Sequence, residues 1–235
     1  MLNFCVFTFA YCLWKFFVNN NWLIFFGLIY ISLAMGNGVI ASDLTFNTYL
    51  DITFYLLTTC IIVYKKNPVW LIPLTILAAF NRETSLMIPF LYFISQTDFS
   101  KFKFNRLNVN SIRFPNSKTW WLTISLYILF FSIFVVVRLY YGYRPAQEWK
   151  VPAGWQMLKL NLFSAVAVKS YFEMLGLFSV IPFIRLYKFR SFPLLFRIWF
   201  LAIIPAWFAV HLYTVVTYQT RLFLVPTIII FLPMI

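Results

Sequence analysis

Apolar segments follow one another along nearly the whole chain, separated by short polar stretches. A helix rises about 1.5 Å per residue, so about 20 apolar residues cross about 30 Å of hydrocarbon. The pattern predicts an all-α fold, a polytopic integral membrane helical bundle of about 7 to 9 segments in a single domain over residues 1–235. The predicted segments are residues 2–18, 22–41, 46–64, 68–80, 84–94, 120–141, 166–186, 192–217 and 221–235.

Two of these segments are shorter than a full span. Residues 68–80 and 84–94 each form an arm of only about 12 residues, or about 18 Å of helix. Between them lies Asn81-Arg82-Glu83-Thr84, which is polar and doubly charged. The pattern predicts a broken hairpin over residues 68–95, with this tip deep in the membrane or near its outer boundary.

The distribution of charge sets an orientation. The chain is 63% hydrophobic and 11% charged, with a net charge of +13, which could suggest a nucleic-acid partner. The basic residues, however, concentrate in loops 101–118 and 185–197, which is the pattern of cytoplasmic loops in membrane proteins. We therefore expect membrane lipid as the partner, no nucleic acid, and a location in the bacterial inner membrane.

The same concentration of basic residues in cytoplasmic loops predicts on which side of the membrane the other charged residues lie. With both basic loops on the cytoplasmic side, the hairpin tip, Asp43, loop 142–160 and Arg221 all fall on the outer face. Oligomeric state has no signature in the sequence.

Arg82 and Glu83 are the leading candidates for a binding site. Adjacent helical residues point about 100° apart, so each needs its own partner. If Asn81 caps the second arm, the helix start and the Arg82 guanidinium form a cradle for phosphate. The alternative is structural pairing, in which Asp51 is the carboxylate partner of Arg82. Charges within membrane segments are often functional.

Other polar residues are weaker candidates. Asp43 is a helix cap or a catalytic acid, and Arg221 anchors a helix end by snorkelling or binds phosphate. His211 is expected to be a hydrogen-bonded residue of the bundle, without a second ligand for a metal. The glycines of "MGNGV", beginning at Gly36, are expected to allow close helix packing.

The run "SDLTFNTYLDITFYLLTTCIIVYKKNPVWLIPLTILAAFNRETSLMIPFLYF" resembles the middle of bacterial GT-C-type membrane glycosyltransferases and their relatives. The close, "YQTRLFLVPTIIIFLPMI", resembles a late helix of that family, with Gln219 where an acid is frequent. The resemblance covers residues 36–93 and 218–235. The matching positions are Asp43, Lys65, Lys66, Arg82, Glu83, Thr84, Pro89, Arg221 and Pro226.

The resemblance implies transfer of a sugar from a polyprenyl-phosphate donor, the substrate, on the outer face of the membrane. It carries over Arg82 and Arg221 as donor-phosphate or structural residues. With Glu83 and Asp51, which come from the charge pattern, they are the candidate substrate-binding residues. In the family, an acid in the first outer loop acts as a base or helps to hold a divalent metal. Here that loop and the first span would precede Met1, so the chain is expected to be a fragment, and its catalytic acid is unknown beyond Asp43 as a weak candidate.

Two other functions are compatible with the pattern. The chain could be a non-catalytic structural subunit of a larger complex, such as a respiratory complex. It could also be a transporter, which would use broken helices near the middle of the membrane, although no second broken segment occurs in a matching half.

Overall fold

The computed structural model describes residues 1–42, 46–99, 112–142, 151–178, 187 and 189–231. Within these ranges the protein is all-α, and the β-type pairing is a single bridge between Asp98 and Arg113. The helices are α1 (Leu2–Phe17), α2 (Asn21–Ser42), α3 (Phe46–Val63), α4 (Leu71–Asn81), α5 (Met87–Gln96), α6 (Ser117–Tyr141), α7 (Trp155–Phe163), α8 (Ala165–Phe178) and α9 (Leu194–Thr214). Shorter helical turns are Pro68–Trp70, Glu83–Leu86, Phe189–Ser191, Thr220–Phe223, Leu224–Pro226 and the π-helical Thr227–Phe231.

Four of the described helices are long and apolar enough to cross a membrane: Asn21–Val39, Phe46–Val63, Ser117–Tyr141 and Leu194–Thr214. Shorter apolar helices, which the sequence prediction also counted as segments, are Leu2–Phe17, Pro68–Asn81 and Thr220–Ile230. The four long helices indicate a membrane protein.

The outer surface of the bundle supports that conclusion. Along α6, the side chains of Ile128, Val136 and Leu139 are 61%, 62% and 79% exposed. On α2, Phe26 and Leu33 are 62% and 68% exposed. A soluble monomer rarely exposes contiguous apolar faces of this kind, whereas hydrocarbon solvates them.

The order of the helices gives the bundle two distinct ends. Tyr64 donates a hydrogen bond to the Cys12 carbonyl oxygen, so α1 and α3 lie side by side and end together. The Trp199 indole donates to the Ser95 hydroxyl at 2.8 Å, joining the beginning of α9 to the end of α5. The hairpin tip lies at the opposite end, against the beginning of α3 and the ends of α6 and α9. Which side of a membrane each of these ends faces stays a prediction.

The predicted hairpin is present, and its tip has a well-defined geometry. The first arm begins where Asn67 accepts a hydrogen bond from the Val69 amide, and α4 ends at Asn81. Arg82 has an extended backbone, with φ −157° and ψ 150°, which interrupts the helix. The Ser85 hydroxyl then donates to the Ala78 carbonyl at 2.6 Å and closes the turn.

One detail of the predicted tip is wrong. Asn81 does not cap the second arm, because it is the last residue of α4. Its side-chain amide donates to the Asn47 carbonyl oxygen at 2.8 Å, in the first turn of α3. Asn81 therefore attaches the tip to α3, and the second arm begins with the turn Glu83–Leu86 without a side-chain cap.

The region predicted as an outer loop contains helix α7. Asn161, which is fully buried, donates to the carbonyl oxygens of Leu212 and Val215, both at 2.8 Å. It also accepts from the Thr217 amide at 3.1 Å. These bonds hold α7 against the end of α9. The helix was missed because its nine residues are too few and too polar to form an apolar segment.

Candidate functional site

An ion pair joins the hairpin tip to α3. Arg82 Nη1 lies 3.7 Å from Asp51 Oδ2. Asp51 is 1% exposed, whereas Arg82 is 22% exposed and reaches the surface of a cavity. The carboxylate partner that the sequence offered as an alternative is therefore confirmed. Arg82 directly follows the last residue of α4, at the level of the second turn of α3, which contains Asp51. The two side chains can therefore meet.

The Asp51 carboxylate also accepts hydrogen bonds from Thr84 of the tip, which Tyr55 of α3 holds in turn. The Thr84 hydroxyl donates to both carboxylate oxygens, at 3.2 Å and 3.0 Å. The Tyr55 hydroxyl, one turn below on α3, donates to the Thr84 carbonyl oxygen. Burying a carboxylate costs folding free energy unless the carboxylate is paired with a cation and hydrogen-bonded. Arg82 and Thr84 supply both requirements, so the tip and α3 form one polar unit.

Glu83 has a separate partner, as the sequence predicted, although Arg82 is extended and not helical. It forms an ion pair with Arg138, near the end of α6. Here the side chains are more open, with Glu83 65% and Arg138 35% exposed. The two charged tip residues thus connect to two different helices. Arg138 was not a sequence candidate, although a lone arginine near the end of a 25-residue apolar helix was the signal that could have identified it.

A cavity of about 410 Å³ opens between α4, the tip and α6. Arg82, Glu83 and Arg138 line it together with apolar and aromatic residues, including Phe80 and Phe134. One part of the wall is charged, with Asn81 beside it, and most of the rest is apolar. Such a cavity matches a ligand that carries an ionic group on a hydrocarbon chain.

A second cavity, of about 320 Å³, lies on the other side of the tip, against α9. Glu83 lines both cavities. The second cavity also contains Thr84, Trp207 and His211, with aliphatic side chains around them. His211 Nδ1 is 2.7 Å from the Trp207 carbonyl oxygen, as expected for a hydrogen-bonded residue of the bundle.

Arg221 is not brought to these cavities. It lies on the turn Thr220–Phe223, which packs against α2 and α8. Its guanidinium donates to the Gln219 side-chain oxygen at 3.4 Å. Leu222 lines the second cavity, but Arg221 lines neither cavity. Asp43 lies outside the described residues.

The two acids at and beside the tip, Glu83 and Asp51, do not fit a divalent metal site. Asp51 is occupied by Arg82 and Thr84, and Glu83 is occupied by Arg138. In the part of the chain that the structure describes, no three His, Cys, Asp or Glu side chains cluster as metal ligands. A metal would have to compete with a guanidinium at each carboxylate.

Comparison with protein-family models, with curated proteins and with solved structures gave no match to this chain.

Proposed function

We propose that this protein is a membrane glycosyltransferase-like protein that binds the phosphate of a polyprenyl-phosphate sugar donor in the cavity beside the hairpin tip. The observation that carries the proposal is that Arg82 and Arg138 both line one cavity, beside Glu83 and Asn81, whose remaining lining is mostly apolar and aromatic. A lipid phosphate needs cationic donors for its head and apolar surface for its chain, and this cavity offers both.

The existing ion pairs leave capacity for a phosphate. A guanidinium carries five N–H donors, and Arg82 contacts Asp51 at Nη1. A phosphate can therefore bind at another edge of Arg82 while the Asp51 pair remains. In the transfer, the acceptor hydroxyl oxygen bonds to the sugar carbon, the phosphate leaves with the electron pair of the broken bond, and the hydroxyl proton passes to that phosphate or to solvent. The arginine charges would stabilise that leaving group.

The proposed location is the inner membrane of a bacterium, crossed several times, with the tip at the outer side. Arg138 is three residues before the end of α6, and His211 is three residues before the end of α9. At about 1.5 Å per residue, the tip is therefore about one helical turn below the ends of these helices. A donor in the outer leaflet could reach it with its head group while its chain stays in lipid.

Binding of polyprenyl phosphate to the protein in lipid nanodiscs, measured by native mass spectrometry, tests the proposal. Replacing Arg82 by Lys keeps the charge but removes the forked geometry, so we expect binding to weaken by about tenfold. Lys66→Ala, an exposed position at the other end of the bundle, is the matched control and should bind as the parent does. Equal binding by the parent and Arg82→Lys contradicts the proposal.

A structural role is the second candidate, and one observation favours it. Both tip charges already have protein partners on α3 and α6, so the ion pairs would fix the bundle even without a ligand. In that case the chain would be a non-catalytic membrane subunit. Stable co-purification with many other subunits, and no bound polyprenyl phosphate, would support this alternative.

A further inference from the structure

The second cavity has a polar group that the proposed donor site does not use. His211 is 6% exposed and lines the cavity between the tip and α9. Its ring is stacked on Trp207, with centroids 5.3 Å apart and planes 22° apart, and Phe223 lies 5.6 Å away. These contacts fix the orientation of the imidazole.

The hydrogen bond to Trp207 determines which ring nitrogen carries the proton. Nδ1 lies 2.7 Å from the Trp207 carbonyl oxygen, and a carbonyl can only accept. Nδ1 must therefore donate. In the neutral ring, Nε2 is then unprotonated and is a hydrogen-bond acceptor. Within the described residues, no side chain or backbone amide donates to Nε2.

The remaining surroundings select the ligand. Leu86, Met87, Val210 and Leu222 make the walls largely apolar. The Thr214 hydroxyl already donates to the Val210 carbonyl oxygen at 2.7 Å. A suitable ligand is therefore predominantly apolar and carries one hydrogen-bond donor for Nε2.

We infer that the cavity between the hairpin tip and α9 is a binding site for an apolar alcohol, whose hydroxyl donates a hydrogen bond to His211 Nε2. The site stands independently of the proposed donor site. If the protein is also a transferase, a point that rests on the proposed function, this cavity is suited to the hydroxyl-bearing acceptor, because Glu83 separates it from the donor cavity.

The chain contains a single histidine, which makes a direct test possible. Protein labelled with ¹⁵N-histidine and placed in nanodiscs gives signals from His211 alone. We expect a pyrrole-type Nδ1 and a pyridine-type Nε2. Decanol should move the Nε2 signal upfield, whereas decyl methyl ether, which has the oxygen but no donor, should leave it unchanged.

Two variants of α9 locate the response. Ala206 lines the cavity, so Ala206→Phe should abolish the response to decanol by filling the space. Ala209→Phe, at an exposed position on the same helix, is the matched control and should retain it. A pyridine-type Nδ1, no response to decanol, or an equal response to the ether overturns the inference. Since this test uses no polyprenyl phosphate, failure here is distinct from failure of polyprenyl-phosphate binding.

Discussion

Arg82 of the hairpin tip and Asp51 of α3 form an ion pair, with 3.7 Å between Nη1 and Oδ2. This pair gives a short, interrupted helix a fixed position within the bundle. It also presents one cation to a cavity with apolar walls, since Arg82 is 22% exposed while Asp51 is 1% exposed. Structural pairing and the proposed ligand binding would therefore depend on one residue, and experiments must separate them.

Removing one member of this pair should destabilise the protein. Arg82→Ala leaves the Asp51 carboxylate buried without its cation, so the free energy of unfolding should fall by about 2 to 4 kcal/mol. The partial exposure of Arg82 places the loss at the lower end of the range for buried pairs. Unfolding of the protein in mixed micelles measures this change.

The other tip pair supplies the control for that measurement. Glu83 is 65% exposed, so Glu83→Gln should change the free energy of unfolding by less than about 1 kcal/mol. If Glu83→Gln and Arg82→Ala lowered it equally, burial of Asp51 would not be what makes the Arg82 pair important.

Close packing between α1 and α2 depends on Gly27. A Cβ atom built there would lie 2.6 Å from Trp14 Cζ3, and the Trp14 side chain is only 3% exposed. Gly27→Ala should therefore lower the free energy of unfolding by about 1 to 3 kcal/mol. At Gly36, nothing lies within 4 Å of such a Cβ atom. Gly36→Ala should be neutral or slightly stabilising, and an equal loss at both positions would contradict this account.

Asn161 should control the attachment of α7. Asn161→Ala leaves the Leu212 and Val215 carbonyl groups and the Thr217 amide without this buried partner. We expect the free energy of unfolding to fall by about 1 to 3 kcal/mol, which is the penalty for buried polar groups left without a hydrogen-bond partner. Amide hydrogen exchange should rise across Trp155–Phe163 and stay unchanged in Leu2–Phe17. Unchanged exchange in Trp155–Phe163 would show that other contacts hold α7.

The two ends of the bundle should lie on opposite sides of a membrane. In a variant without the three native cysteines, Lys118→Cys marks the beginning of α6, and Ala153→Cys marks the segment attached to the end of α9. A membrane-impermeant thiol reagent added to intact cells should label Ala153→Cys and spare Lys118→Cys. Labelling of both positions, or only of Lys118→Cys, would contradict the proposed orientation.

The helices and the hairpin could be predicted from the sequence because they depend on local patterns. The lengths of the apolar runs predicted the helical segments. The polar residues Asn81–Thr84 between two short apolar arms predicted the turn. Separate partners for Arg82 and Glu83 were also predicted, but from a helical geometry that Arg82 does not have.

The rest depends on contacts between distant residues. The sequence around Gly27 and Gly36 does not show which of them lies in a close contact. The difference comes from the Trp14 ring, which packs against Gly27 across the α1–α2 interface. Arg138 belongs to the site because α6 ends beside the tip. Arg221 matched a family pattern, yet its turn packs against α2 and α8 instead. Sequence similarity at one position could not reveal that arrangement.

The most direct test of the central claim compares the parent with the double variant Asp51→Asn, Arg82→Gln. This change removes both charges but keeps side chains that can hydrogen-bond to each other. The buried contact becomes neutral without leaving an unpaired charge, so we expect the fold to be retained. If Arg82 binds the donor phosphate, the double variant should be as stable as the parent to within about 1 kcal/mol but bind polyprenyl phosphate at least about tenfold more weakly. A stable double variant that binds polyprenyl phosphate as the parent does would contradict the claim and leave the Arg82–Asp51 pair with a structural role.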